Sequence, residues 1–149
     1  KAVTAFVDSL RKASRAVNTQ LVLSGTLMPD PEEAVARYGQ DVAVLANCFS
    51  FFVPMTYVGV YLNDVDEIRA DCAAFASRAG NSEIWAGIVG YDGDETQMPL
   101  EPDAVRSYAD AAYAGEAMGV VLFRFGRADL GANRGQALCP LIDLEPHGI

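Results

Sequence analysis

The chain has 149 residues, half of them hydrophobic, with 11 basic against 20 acidic side chains and a formal charge of −9. That length suits one domain able to bury a core, and the composition argues against disorder. An acidic chain lacks the cations that displace phosphate counterions, so nucleic acid is excluded as a partner. No apolar run approaches the ~20 residues that a bilayer requires, so no membrane span is expected.

The opening "KAVTAFVDSLRKASRAVNTQ" has scattered charges and no secretory pattern. Val3, Phe6, Val7, Leu10, Ala13 and Val17 recur at helical spacing. "QLVLSGTL" then reads as a strand running into a loop at Met28-Pro29. Asp30-Pro31-Glu32-Glu33 is a helix start, with a carboxylate cap, proline at the first position and acids in the first turn. The helix that follows is expected to carry Val35, Tyr38, Val42 and Leu45 inward.

"FFVPMTYVGVYL", from Phe51, is apolar enough for a buried strand, yet Pro54 interrupts it. Proline donates no hydrogen bond to a ladder, so Pro54 is expected at a local break. Beyond it, Asn63 or Asp64 caps a helix lined by Val65, Ile68, Cys72, Phe75 and Ala79, and Gly80 stops it. "EIWAGIVGY" is the third strand, followed by the polar loop "DGDETQMPLEP". Pro102 opens a helix through Val105, Tyr108, Ala112 and Met118, ended by Gly119, and "VVLFRF" is the fourth strand. Residues 127–149 form a Gly-rich, irregular tail.

Strand starts near Leu21, Phe51, Ile84 and Val120 lie about 30, 33 and 36 residues apart, close to the length of a βαβ unit. The strands are therefore expected to be parallel, and their nearly continuous apolar character implies cover on both faces. The class is α/β, as a single domain. Two architectures fit: half of a (β/α)8 barrel, or a four-strand doubly wound, flavodoxin-like sheet. The dinucleotide and P-loop glycine fingerprints are missing, since Gly87, Gly90 and Gly93 match neither spacing.

Cys48, Cys72 and Cys139 are odd in number and far apart, against a disulfide framework or zinc site. His147 is the single histidine, which disfavours histidine-based nucleophilic catalysis and a multi-histidine metal centre. "DGDE" is too short for a calcium loop, so neither metal nor cofactor is expected.

"QLVLSGTLMP", "YGQDVAVLANCFSFFVPMTY", "IWAGIVGYDG" and "GVVLFRFG" occur in that order with crossover helices between them. Together they resemble the last four strand–helix units of TIM-barrel glycoside hydrolases, nearest the family-10-like glycosyl hydrolases and more loosely the family-18 chitinase-type barrels. The likeness spans about residues 3 to 126. "PMTY" is its most specific piece. Ser50 and Val58 stand where such barrels often carry acids, and the acidic motif of the chitinase type would fall on a strand upstream of Lys1.

The resemblance implies a carbohydrate substrate, with an N-terminal half-barrel or a second copy completing the barrel. It also favours a secreted or cell-surface protein. Barrel strands deliver active-site residues at their carboxyl ends. Met55 and Tyr57 after the Pro54 break, and Tyr91 at the third strand's end, are accordingly expected to contact sugar. Glycoside hydrolysis needs two carboxyl groups. Asp92 is the best catalytic candidate within the chain, Asp30 reads rather as a helix cap, and Asp94 and Glu95 read as loop solvation. Arg124, a charge inside an apolar strand, must be paired or wet: with a carboxylate in the barrel mouth, or in a salt bridge at the rim. Trp85, at the start of its strand, is expected in the core at the opposite end.

Overall fold

Where the chain alternates helix signals with apolar runs, it folds as that alternation dictates. The structure, a computed structural model, describes residues 2–96 and 98–123. Its elements are α1 (Ala2–Val17), β1 (Ser24–Leu27), α2 (Pro31–Tyr38), α3 (Val42–Leu45), β2 (Phe51–Pro54), α4 (Val65–Ala76), β3 (Glu83–Val89), α5 (Pro102–Ala114) and β4 (Gly119–Phe123). The four strands form one sheet in the order β1-β2-β3-β4, every pair parallel. The α/β class and the parallel sheet stand as the sequence predicts.

The helices lie on one face of this sheet. Helix α4 packs on β2 and β3, α5 packs on β3 and β4, and the two lie against each other. Phe52, Ile84, Ala86 and Ile88 point to that side, where they meet Ile68, Cys72 and Phe75 from α4 and Val105, Ala109 and Ala112 from α5, all fully or almost fully buried. The α4–α5 crossing is tight because Gly115 closes it: a β-carbon there would lie 2.5 Å from the Arg69 carbonyl oxygen. On the other face stand Phe51, Val53, Met55, Trp85, Gly87, Val121 and Phe123, several of them only half-buried.

Several boundaries differ from expectation, each for a local reason. The helix predicted through Leu45 is two helices. Gly39 takes a left-handed φ of 67° and its amide returns to the Val35 carbonyl, ending α2, and Asp41 then caps α3 through the Val44 amide. The break rotates the first segment, so Val35 and Tyr38 are exposed, whereas Val42 and Leu45 enter the core as predicted. Helix α5 ends at Ala114, leaving Met118 exposed and Gly119 as the first residue of β4. Gly119 is required there because the Trp85 ring lies 2.9 Å from where its β-carbon would be. Trp85 itself is half-buried on the sheet face away from the helices, against Phe51 at 5.2 Å, rather than in the main core. Strand β1 begins at Ser24, three residues after the expected Leu21. The tail from 127 and Cys139 and His147 lie outside the described residues.

Candidate functional site at the carboxyl ends of the strands

Pro54 explains how β2 ends. The Met55 amide bonds the Leu27 carbonyl on β1 at 2.9 Å, so the preceding nitrogen, that of Pro54, faces β3 with no proton to give. The β2–β3 pairing accordingly runs Phe51–Glu83 and Phe52–Ile84, then resumes only as a single bridge between Met55 and Gly87. Thr56 repairs the gap. Its amide turns back to the Pro54 carbonyl, and its fully buried hydroxyl donates to the Gly87 carbonyl at 2.9 Å. The expected break is therefore present, and it re-aims the chain as it leaves the sheet.

After the break the Tyr57 carbonyl accepts the amides of Val60, Tyr61 and Leu62 at 2.9–3.2 Å. That turn folds Tyr61 back over Tyr57. The result is a ladder of rings: Phe123 stacks on Tyr57 at 5.0 Å with 8° between planes, and Tyr57 stacks on Tyr61 at 5.8 Å with 21°. Tyr91 meets Phe123 obliquely at 6.4 Å. Tyr57 is 8% exposed, whereas Tyr61 is 47% exposed, so Tyr61 is the ring of this ladder that solvent reaches most. Gly87 makes room beneath Tyr57, whose Cε1 would stand 3.1 Å from a β-carbon at that position. Burial, reinforced by Tyr61 and Tyr91, pushes the Tyr57 phenol above its usual value and keeps it a neutral donor.

The third strand ends on Tyr91 and Asp92. The buried Tyr91 hydroxyl donates to Asp94 Oδ1 at 3.3 Å, and Tyr91 bridges Pro99 across the loop. Asp92 Oδ1 accepts the Thr96 hydroxyl and the Met98 amide, the latter at 2.8 Å. The Thr96 hydrogen bond leads in holding the Asp92 carboxyl below the usual carboxylate range, with the Met98 amide assisting. Asp92 is therefore ionised near neutrality and unfit as a proton donor, and the same hydrogen bonds make it a weaker base than an ordinary carboxylate.

Two glycines fix this loop against the turn that carries Tyr61. Gly59 has φ 79° and Gly93 φ 127°. A β-carbon on Gly59 would lie 2.9 Å from the Asp92 carbonyl oxygen, and one on Gly93 would lie 2.9 Å from that of Gly59. The backbones touch directly, which places the exposed tyrosine and the loop acids on one rim.

Other candidates fall elsewhere. Met55 is half-buried and packs against the core cluster that includes Tyr57 and Tyr91. Asp30 caps α2, accepting the amides of Glu32 and Glu33 at 2.9 and 3.3 Å, as its sequence position suggests. Its own amide donates to Asp71 on α4 at 3.2 Å. Glu95 is exposed. Arg124 lies outside the described residues. Tyr61 escaped the sequence reading, although its spacing of four from Tyr57 across a glycine was the available signal. Among the described residues no group of three acidic, histidine or cysteine side chains could hold a metal ion, and no helix is long and apolar enough to cross a membrane. No family model matches the chain, and no match was found among curated proteins or solved structures.

Proposed function

We propose that the chain is a carbohydrate-active half-barrel whose sugar site lies on the rim formed by the loops after β2 and β3. The observation that carries this reading is the ring ladder Phe123–Tyr57–Tyr61 beside the Asp92 and Asp94 carboxylates, at the carboxyl ends of parallel strands. The strand order supports the half-barrel over a doubly wound sheet, because it follows the chain without reversal and so offers no switch-point crevice within the four strands. An exposed tyrosine backed by two stacked rings is a stiff apolar platform suited to the C–H face of a pyranose, and carboxylates beside it accept sugar hydroxyls. In hydrolysis, Asp92 would serve as the ionised carboxylate, and a second carboxyl on the same rim would have to donate the proton.

Titration calorimetry with cello-, xylo- and chito-oligosaccharides tests the platform. At least one series is expected to bind, with Tyr61→Ala weakening it by about tenfold or more and Asp92→Asn weakening it by less than Tyr61→Ala does. A folded protein that binds none of them, or one indifferent to Tyr61→Ala, would defeat the proposal. A second reading, a binding module without catalysis, is favoured by the commitment of Asp92 Oδ1 to Thr96 and Met98. Sugar binding without release of reducing ends by the complete assembly would select it.

A further inference from the structure

Among the described residues the sheet has two unpaired edges, β1 and β4, and α1 shows how the first is met. Helix α1 packs chiefly on α3, none of its residues is fully buried, and it leaves Phe6 and Leu10 exposed at 68% and 47%. Val3, Phe6, Leu10 and Val17 make one stripe. In a sheet wound in chain order, the helix that precedes a strand covers that strand and its neighbour on the far side. Among the described residues no strand takes that neighbour's place. Beneath it, the Leu23 and Leu27 carbonyls bond β2, through the amides of Ser50 and Met55, so the main-chain groups of Ser24 and Thr26 turn away from β2. The Gln40 side chain caps the end of that edge, donating to the Thr26 carbonyl at 3.4 Å and accepting the Met28 amide at 2.9 Å, which leaves the Ser24 and Thr26 amides facing outward. Exposed Leu21 and Val22 continue that edge. They explain why the sequence reads as a strand from Leu21 although pairing with β2 starts only at Ser24.

We propose that the occupant is a second copy of this chain, docked by a two-fold axis along the barrel so that β1 of each copy pairs in parallel with β4 of the other. This rests on the half-barrel reading. The four parallel strands of the described residues, taken from each of two copies, make eight, the number at which a parallel barrel closes with its interior filled by side chains. In that arrangement α1 lies over the second copy's β4 and beside its α5. The charges match: α1 carries Arg11, Lys12 and Arg15 against Asp8, whereas α5 and its ends carry Glu101, Asp103, Asp110 and Glu116 against Arg106. Because each chain carries −9 overall, which opposes self-association, this local complementarity is what selects the contact. Closure also covers the half-exposed apolar face of the sheet, Val121 included. It sets two copies of the Tyr61 platform on one rim, so the site is incomplete in a single chain.

Light scattering after size exclusion, on the full chain at micromolar concentration, is expected to give the mass of two chains. Ser24→Pro with Thr26→Pro removes only edge-facing amides and is expected to give one chain with an unchanged circular dichroism spectrum. Arg15→Glu with Lys12→Glu is expected to weaken the dimer at low salt by about tenfold, with Asp103→Lys and Asp110→Lys restoring it. A monomeric wild type overturns the proposal, as does a folded proline variant that remains a dimer. If the proline variant fails to fold, the charge exchange decides: dimerisation indifferent to it overturns the proposal. Sugar binding is read separately. A monomer that binds oligosaccharide loses the dimer and keeps the carbohydrate site, and a dimer that binds none does the reverse.

Discussion

The two faces of this sheet are built from similar residues and meet different surroundings. On the helix side, Phe52, Ile84, Ala86 and Ile88 interlock with α4 and α5 and are dry. On the other side, Phe51, Met55, Trp85 and Phe123 are only partly covered, and Val121 is 39% exposed. Apolar strands alone do not say which face is finished. The first face supplies the stability of the chain, and the second carries apolar area that stabilises only what closes over it.

Truncation on the two faces should therefore differ most. Phe75→Ala, which empties a site in the dry layer, is expected to cost about 3–5 kcal/mol in urea unfolding. Val121→Ala should cost less than about 1 kcal/mol while the chain is monomeric. A larger cost that grows with protein concentration would show that this face is closed by association. The rim is next in size. Gly59→Ala and Gly93→Ala each force a side chain into a left-handed backbone already in contact with the other loop, and each is expected to cost about 2–3 kcal/mol. The double variant should cost less than the sum, because the first change already parts the loops.

The smallest effect concerns Asp71, on α4 behind the first crossover. Burial leads in raising its carboxyl above 3.8, and Asp30 and Glu67 add to this while the Asp30 amide opposes it. The folded state therefore holds the proton more tightly than the unfolded one. The penalty for ionising Asp71 is fully present above its raised folded value and disappears as pH falls to 3.8. Asp71→Asn, which keeps an acceptor for the Asp30 amide, should raise stability at neutral pH by about 0.5 kcal/mol, a small figure because solvent reaches the group. The gain should vanish in urea titrations near pH 4.

The crossover units were legible because their signals are local. Asp30, Asp64, Pro31 and Pro102 begin helices by satisfying or omitting amide donors within a few residues, and all four sit where the sequence places them. Gly39 was harder, since its left-handed turn competes with an apolar spacing that runs on to Leu45. The site was half legible. Pro54 announced a break by chemistry alone, and Tyr57 and Tyr91 meet through Phe123 near that break. Tyr61 became visible only once the turn at Gly59 folded it onto Tyr57, a contact set by φ rather than by residue type. Which face of an apolar strand is covered depends on where the helices pass, and periodicity carries no record of that.

The contact between Gly59 and Gly93 has a consequence for remodelling this rim. With backbone against backbone and no side chain between them, neither loop can absorb a displacement of the other by changing a rotamer. Residues 58–62 and 92–96 therefore behave as a single interchangeable part. A graft that replaces one of them to alter ligand preference will transplant cleanly only when its counterpart travels with it.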